Sequence, residues 1–505
     1  MAGFALDAGA RALGCVPRRL LDPACGAGAF LAEAALRWGA HGTALCGMDS
    51  DADALAATRA RLRLIAPTRL PVSLCGRDAL QGIGGPRFDL VVGNPPYVRQ
   101  EELGGERRKR ALAARLDRAL PGAGAALGRK ADLSVAFLLL GLARLRPGGV
   151  LAYVTGNAWL DALYGAPLRQ FLAERAEIRR VVEWEGKAFA QAAANPVVVV
   201  IRRRAGRGRQ PALFTRFALR SAGERAAWVG MHRRVGIRRL ASEPRWGAAL
   251  LRRVDLLDEV SRRAPDAFAP LHEIAALHYG TKPGLVDFFV VDKEAGVIEK
   301  QFLVPILTST SEISSLEVRP GSLPRRLFVC PVPRAQILAG RYAGARAHVM
   351  QGERARTRKK ARHTRPGRPY PEVPSVRGNV PWYHLRPRPA GDFAIPLLIR
   401  ERHMIPYAPE RVAATNMFYQ GRFADRTLAL PGTAVLNSSV SLLALESQGR
   451  INIGGRINVY GPEIRPLRVP DPRRMKASAL REIAARFGPL RARPVGAISE
   501  EMGRS

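Results

Sequence analysis

Residues 20–30 read Leu-Leu-Asp-Pro-Ala-Cys-Gly-Ala-Gly-Ala-Phe, which is a short apolar run, a turn with two glycines and the start of a helical pattern. Gly26 and Gly28 allow the main chain to bend sharply and allow a ligand to approach the backbone. The spacing differs from the dinucleotide fingerprint, because Leu31 occupies the position of its third glycine. This stretch therefore predicts a strand, a ligand-binding turn and a helix at the start of an α/β sheet.

The same alternation of short apolar runs and helical periodicity continues from this stretch to about residue 205. The predicted strands are Leu20–Leu21, Ala44–Met48, Phe88–Gly93, Val150–Thr155, Val181–Trp184 and Val197–Ile201, and the predicted helices include Phe30–Trp38, Asp53–Leu64 and Leu133–Leu145. Strands that alternate with helices predict a parallel sheet covered on both faces. Pro147-Gly148-Gly149 is expected to end the last of these helices and to turn the chain into the next strand.

An acidic residue lies at the end of each of the next two predicted strands. Asp49 ends the sequence Cys-Gly-Met-Asp about 20 residues after the glycines, where a carboxylate can accept two hydrogen bonds from a ribose diol. Asp78, in Gly-Arg-Asp-Ala-Leu, is placed to accept a hydrogen bond from an adenine amino group. Each acid alone is more often a loop residue or a helix cap. The three elements in this order suit adenosine with a methionine tail. The sequence has no Walker lysine, so phosphate binding is not indicated.

The most specific motif is Phe88–Tyr97, an apolar strand that ends in Asn94-Pro95-Pro96-Tyr97. Such a strand delivers the motif to the carboxyl edge of the sheet, where ligands bind in open α/β folds. The Asn94 amide oxygen and the Pro95 carbonyl can accept the two N–H bonds of an aromatic amine, which directs its lone pair toward a sulfonium methyl. Pro96 helps to fix the backbone, and Tyr97 offers a π face to the base.

These motifs resemble the gamma class of N6-adenine DNA methyltransferases, and within it the TaqI-like enzymes and the methylase part of type IIG restriction–modification proteins. The resemblance covers residues 18–205 and rests on DPACGAGAFL, GMDSD, GRDAL, FDLVVGNPPYV and KADLSVAFLLLGLARLRPGGVLAYVTGNAWL. It implies a Rossmann-like fold, the cofactor S-adenosylmethionine and an adenine that is flipped out of the duplex onto Tyr97. Phe189 matches a second base-stacking aromatic, although an ordinary core phenylalanine is an equal alternative.

The resemblance also implies which residues bind the cofactor. The implied cofactor residues are Asp22, Pro23, Ala24, Gly26, Gly28, Asp49 and Asp78. Members of this class often carry a Thr-Pro segment before the glycine motif that helps to hold the methionine end of the cofactor. Residues 1–19 contain no Thr-Pro, so either the chain start is truncated or that contact is made in another way.

The C-terminal half has a different texture, with frequent prolines, short strands and aromatic residues among arginines. Residues 279–290 resemble the opening of a target-recognition region, and residues 433–439 and 449–455 resemble its closing segment. The sequence therefore predicts four parts: a catalytic domain over 1–205, a connecting region over 206–270, a mixed, β-rich target-recognition domain over 271–475, and a helix with a tail over 476–505. The most basic stretch, 354–368, is expected to be an extended loop.

The composition of the chain limits the kinds of molecule that it is expected to bind. The chain has 80 Lys and Arg against 43 Asp and Glu, a net charge of +37, which favours a polyanion such as double-stranded DNA. The five cysteines form no CxxC pair and the histidines no HxxxH, so no metal or disulfide framework is expected. No apolar run predicts a membrane span and the N-terminus does not read as a signal peptide, so a cytoplasmic location is expected.

Two alternatives to a DNA adenine methyltransferase stay open. The same Asn-Pro-Pro-Tyr motif serves enzymes that methylate RNA or a glutamine amide in a protein. A DNA-binding derivative of a methylase with weakened catalysis is the other alternative, and the intact Asn94–Tyr97 motif and Asp49 argue against it. Whether a separate restriction endonuclease or another defence-system partner works with this chain is left open by the sequence.

Overall fold

The strand Phe88–Gly93 forms the centre of the first sheet, and all six of its residues are buried. Its side chains alternate between two cores: Leu90 and Val92 belong to one, and Val91 belongs to the other. A strand that is apolar on both sides is typical of a parallel sheet with helices on both faces. The fold class predicted from the sequence is thus confirmed.

The protein was analysed as a computed structural model, which describes residues 1–65, 70–96, 105–128, 131–184, 196–206, 210–222, 225–251, 255–293, 297–357, 367–399, 403–451 and 457–495. The chain divides into two units. The first unit comprises residues 1–254 and 450–455, and the second comprises residues 255–449 and 456–505.

The first unit is built on a nine-stranded sheet. Its strands are β1 (Arg19–Asp22), β2 (Ala44–Asp49), β3 (Val72–Gly76), β4 (Phe88–Gly93), β5 (Leu145–Gly156), β6 (Ala176–Trp184), β7 (Pro196–Arg203), β8 (Ala212–Ala222) and β9 (Arg225–Val235). Their order is β3-β2-β1-β4-β5-β7-β6-β8-β9. Strands β1 to β5 are parallel, and β7 is antiparallel to both of its neighbours. The order reverses between β1 and β4, which is the switch point where ligands bind in such sheets.

Helices cover both faces of this sheet. The helices of the first unit are α1 (Ala2–Leu13), α2 (Ala29–Trp38), α3 (Ala52–Ile65), α4 (Gly105–Ala119), α5 (Ala123–Leu127), α6 (Leu133–Arg144), α7 (Ala166–Arg175) and α8 (Ile237–Ser242). Residues of α1, α2 and α3 fill one core, and residues of α4 to α7 fill the other. Asp132 caps α6 by accepting a hydrogen bond from the backbone N–H of Val135, 3.1 Å away.

The structure differs from the sequence predictions at two places in this unit. Pro147-Gly148-Gly149 does not end α6; the helix ends at Arg144, and the three residues lie inside β5. Gly149 lies close to β4 there, since a Cβ on it would lie 2.9 Å from the carbonyl oxygen of Phe88. The stretch 206–270, read as a connection, contains β8 and β9, and these strands extend the sheet.

The second unit contains a seven-stranded, mostly antiparallel sheet in the order β11-β18-β15-β17-β13-β14-β12. The remaining strands of the chain are β10 (Phe268–Pro270), β11 (Ala275–Tyr279), β12 (Val290–Asp292), β13 (Leu303–Leu307), β14 (Arg325–Phe328), β15 (Gly391–Pro396), β16 (Leu398–Ile399), β17 (Tyr407–Ala414), β18 (Phe418–Phe423), β19 (Arg450–Ile451), β20 (Ile457–Asn458) and β21 (Arg468–Pro470). β10 pairs with β21, and β16 pairs with β20.

The helices of the second unit are short or lie late in the chain. They are α9 (Asp255–Arg263), α10 (Leu271–Ile274), α11 (Val286–Phe289), α12 (Arg334–Leu338), α13 (Ala343–Arg354), α14 (Ala429–Leu436), α15 (Ser439–Gln448), α16 (Gly461–Ile464) and α17 (Ala477–Ala492). The main core of this unit gathers Phe288, Phe289, Phe328 and Tyr383. Of the basic stretch 354–368, residues 358–366 lie outside the described residues.

Among the described residues, no single helix has both the length and the apolar composition of a membrane span. Residues 426–436 and 439–448 meet that criterion only as a pair, and the two helices are bent by 70° at the break.

Candidate active site

The glycine turn after β1 packs against Thr58 of α3. Gly26 and Gly28 have backbone φ angles of +50° and +78°, which residues other than glycine rarely adopt. A Cβ on Gly28 would also lie 2.8 Å from the side chain of Thr58, and the Thr58 hydroxyl donates a hydrogen bond of 2.7 Å to the Gly26 carbonyl. The turn is therefore fixed in one shape, with its backbone open to a ligand.

Asp49, at the end of β2, ties this turn to its own strand. Its carboxylate accepts hydrogen bonds from the backbone N–H groups of Gly26, at 2.8 Å, and Asp51, at 3.0 Å. The residue is half-buried. Because a carboxylate offers about four acceptor positions, Asp49 keeps capacity for a ligand after these two bonds are made.

Asp22, at the end of β1, is a buried acid beside Asp49. Its side chain accepts a hydrogen bond of 3.2 Å from the backbone N–H of Ala24, and the residue is 1% exposed. Burial raises the pKa of Asp22 to about 7; the bond from Ala24 opposes this shift, and the charge of Asp49 adds to it. Because the charges of the two neighbouring carboxylates repel each other, this edge of the sheet is suited to a positively charged ligand.

Gly93 allows the end of β4 to approach Asp22. Its φ is +151°, and a Cβ there would lie 2.7 Å from Asp22 Oδ1. The next residue, Asn94, is exposed, and Pro95 is buried. Because β1, β2 and β4 are parallel, the glycine turn, Asp49 and Asn94 lie at the same edge of the sheet.

The other predicted site residues fall into two groups. Pro23, buried, and Pro96, exposed, lie in the segments that follow β1 and β4. Asp78 is exposed, and its carboxylate already accepts hydrogen bonds from the backbone of Leu80, at 2.9 Å, and the side chain of Gln81, at 3.3 Å. Tyr97 and Phe189 lie outside the described residues, so their stacking roles stay predictions.

Three features of this edge were not predicted from the sequence. Thr58 was missed, although Leu55, Thr58 and Leu62 share one buried helical stripe, and a polar residue within such a stripe is a usable signal. Tyr153 is fully buried, its hydroxyl has no partner within the described residues, and burial with the charge of Asp22 raises its pKa well above the usual value. Asn157, after β5, donates a 3.0 Å hydrogen bond to the buried Glu183 at the end of β6.

Across the described ranges, no three His, Cys, Asp or Glu side chains converge in a way that could hold a metal ion. All five cysteines are free thiols. Burial raises the pKa of the Cys25 thiol, next to the glycine turn, to about 12, so this group is a packing residue and not a nucleophile at neutral pH.

Two family models match the part of the chain that contains this site. Residues 77–189 match the family described as Eco57I restriction-modification methylase, and residues 5–118 match the methyltransferase small domain. The type II methyltransferase M.PaeR7I of Pseudomonas aeruginosa is 28% identical over 412 residues, which cover 76% of this chain and 65% of that protein. The type II methyltransferase M.BanIII of Aneurinibacillus aneurinilyticus is 36% identical over 95 residues, 19% of this chain and 15% of that protein.

One solved structure resembles most of the chain. The type IIL restriction–modification enzyme MmeI, solved in complex with DNA, superposes with a TM-score of 0.56 at 14% identity and covers 92% of this chain and 63% of that protein. This likeness shows the fold. The chain thus spans less than two thirds of the length of these relatives.

The first unit has the Rossmann-like fold of methyltransferases, and the methyltransferase model that matches it implies S-adenosylmethionine as the cofactor. The residues fit that cofactor, because the glycine turn leaves its backbone open and the paired carboxylates of Asp22 and Asp49 favour a cationic ligand. Within that class, residues 77–189 are similar to restriction–modification methylases, and a longer stretch of 412 residues is similar to a type II methyltransferase.

Proposed function

We propose that this chain is a site-specific DNA methyltransferase that modifies the N6 amino group of adenine in duplex DNA as part of a restriction–modification or related defence system. The observation that carries the proposal is the position of Asn94 and Pro95. They follow β4 directly after Gly93, whose backbone lies against Asp22 of the cofactor turn. An amine held by Asn94 is thereby brought to the edge where the cofactor binds.

The surroundings of each cofactor residue indicate a different role for it. Gly26 and Gly28 give the ligand access to the backbone, with Pro23 and Ala24 completing the turn. Asp49 binds the ribose hydroxyls with its remaining acceptor positions, and Asp22 interacts with the positive charge of the methionine part. Asp78 has the weakest case for direct contact with the adenine ring, since this residue is exposed to water, whereas Asp49 is half-buried.

When bound, S-adenosylmethionine supplies an electrophilic methyl group on a sulfonium centre. The chain's own contribution is orientation and polarisation of the amine, because no strong base is needed against such a leaving group. The Asn94 amide oxygen and the Pro95 carbonyl accept the two amino hydrogens. Tyr97 stacks on the extruded base, Pro96 limits the backbone of the motif, and Phe189 is the candidate for a second stacking contact.

Duplex DNA is the substrate that the charge and the relatives support best. The helix α4, which begins nine residues after Pro96, exposes Arg107, Arg108 and Arg110, and these side chains have no carboxylate partner within the described residues. Such a surface suits phosphate groups. The named relatives are type II methyltransferases, and MmeI was solved with DNA. The second unit, which contains most of residues 271–475, is proposed to recognise the target sequence.

The test is methyl transfer in vitro with isotope-labelled S-adenosylmethionine and mixed-sequence duplex DNA, followed by digestion and mass spectrometry. We expect labelled N6-methyladenine. Asn94→Ala should abolish transfer and leave cofactor binding intact, because one amino hydrogen loses its acceptor and the amine is misaligned.

Three other outcomes would contradict the proposal in different ways. N4-methylcytosine would keep the mechanism and change the base. Label in RNA or in a protein glutamine, with none in DNA, would favour the first alternative. Duplex binding without transfer to any of these substrates would indicate a derivative that only binds DNA.

A further inference from the structure

The second unit contains a preformed pocket of about 680 Å³ at one end of its seven-stranded sheet. It lies where β11 ends, where β15 leads into β16 and where the turn between β17 and β18 projects. The residues on which its chemistry rests are Tyr279, Lys282, Arg388, Asn416, Met417 and Asn458. These residues are called the Tyr279 pocket below.

The frame of the Tyr279 pocket is held by the backbone of several elements. The buried Thr281 accepts hydrogen bonds of 2.9 Å on its carbonyl from the N–H of Asn416 and on its hydroxyl from the N–H of Arg388. The Tyr279 hydroxyl accepts a hydrogen bond of 3.1 Å from the Gly461 N–H, and its ring packs edge-on against Tyr419 with centroids 4.6 Å apart. A ligand therefore meets a site whose backbone is already ordered.

The charge of the pocket has one sign. Lys282 and Arg388 are exposed, and neither forms an ion pair within the part of the chain that the structure describes. No Asp or Glu is present among its described lining residues. A polyanion is favoured at such a site, whereas a metal ion or a cationic ligand is disfavoured.

The turn between β17 and β18 adds groups that can distinguish bases. The N–H of Phe418 bonds to the carbonyl of Thr415, which makes a tight turn with Asn416 and the half-exposed Met417 at its tip. The Asn416 amide makes no side-chain hydrogen bond within the described residues, so its donor and acceptor are both available. An asparagine can pair with an adenine edge in the major groove, and an apolar side chain can contact a thymine methyl.

We propose that the Tyr279 pocket is a DNA-reading site, in which Lys282 and Arg388 hold backbone phosphates and Asn416 and Met417 contact base edges. This inference rests on the proposed function for its substrate, duplex DNA. It assigns a role in target discrimination to this turn.

The test uses the full chain and measures duplex binding at several salt concentrations, with S-adenosylmethionine affinity and thermal unfolding as checks of folding. Lys282→Ala and Arg388→Ala should each weaken binding to every duplex by about three- to tenfold and reduce the slope of log K against log salt by about 1. Arg481→Ala is the matched control, because Arg481 is an exposed arginine of the same unit, on α17, outside the pocket.

Asn416→Ala tests the reading of bases. Its methylated sites, mapped on mixed-sequence DNA, should show relaxed preference at one position by about tenfold, with total binding nearly unchanged. The inference is overturned if all three pocket variants match Arg481→Ala in affinity, salt slope and methylated sequence. It is also overturned if the cation variants weaken binding to RNA and leave binding to duplex DNA unchanged.

The two proposals fail separately. If the wild-type chain methylates DNA and the pocket variants change nothing, the pocket assignment fails and the proposed function stands. If the wild-type chain modifies no DNA, the proposed function fails, and the duplex-binding comparison still decides whether the pocket binds DNA.

Discussion

The edge of the first sheet and the Tyr279 pocket of the second unit carry opposite charge. At the first, Asp22 and Asp49 lie together, and burial with the charge of Asp49 raises the pKa of Asp22 to about 7. At the second, Lys282 and Arg388 stand without an acid among the described lining residues. The difference teaches that one chain with a net charge of +37 can contain a site for a cationic cofactor and a separate site for a polyanion.

The two sites also differ in how far apart their residues lie in the chain. The cofactor edge gathers residues 22–94, each within one residue of the end of a strand or in the turn that follows it. The pocket gathers residues from Tyr279 to Tyr460, which only the completed sheet brings together. A substitution at the first site should therefore act on the cofactor, and one at the second on DNA. The first prediction below tests that separation, and the next two test the cofactor edge itself.

Among substitutions that alter the shape of the cofactor edge, the largest effect is expected from Gly93→Ala. The added Cβ would lie 2.7 Å from Asp22 Oδ1, so either β4 or the cofactor turn must shift. Because displacements of about 1 Å can cost roughly 100-fold in rate, methyl transfer should fall by that order, with weaker cofactor binding and unchanged duplex binding. Gly42→Ala is the control, since Gly42 has a φ of +72° and no atom within 4 Å of the added Cβ. Equal activity losses in both variants would show that backbone strain, and not the contact with Asp22, is responsible.

The next effect concerns pH. The folded pKa of Asp22 is raised from 3.8 to about 7, so the folded protein binds a proton that the unfolded chain releases, and stability is lost as pH rises through about 7. Between about pH 5.5 and pH 8 this loss amounts to about 2 kcal/mol. Asp22→Asn keeps an acceptor for the Ala24 N–H and removes the titration, so its thermal unfolding should depend less on pH by that amount. Identical pH profiles for the two proteins would contradict the assignment.

Asp49→Ala and Asp78→Ala sharpen the comparison within the cofactor edge. Loss of Asp49 should weaken S-adenosylmethionine binding at least about tenfold, because hydrogen bonds to a charged group each contribute about 1.5–3 kcal/mol. Loss of Asp78 should have a smaller effect, since this residue is exposed to water, whereas Asp49 is half-buried. Calorimetry measures both, and unchanged affinity in Asp49→Ala would remove this residue from the site.

Much of the first sheet could be predicted because its signals are local. An apolar run such as Phe88–Gly93 and a glycine turn such as 25–28 encode a strand and a bend within a few residues. The position of Asp49 at the end of a strand was predicted in the same way, from its spacing after the glycines, and its role stays a prediction. Asp78 illustrates the limit of that reasoning, because sequence spacing does not reveal that this acid is exposed and bonded to its own turn.

The features that were missed depend on contacts between distant segments. The β8–β9 pair extends the sheet because β8 pairs with β6. The apolar content of residues 206–235 does not predict that pairing. α1 contains a glycine, Gly9, that lies against Leu90 and Ala152, and its small residues gave little periodic signal. α17 continues to Ala492 through Pro489, although a proline inside a helix removes a backbone hydrogen bond.

The most direct test of the central claim is single-molecule sequencing of DNA from cells that express the chain or its Asn94→Ala variant. The account predicts N6-methyladenine at one adenine in a fixed sequence context with the wild-type chain, and none with the variant at equal expression. A modified cytosine, or no modified base although the purified chain binds S-adenosylmethionine, would contradict it.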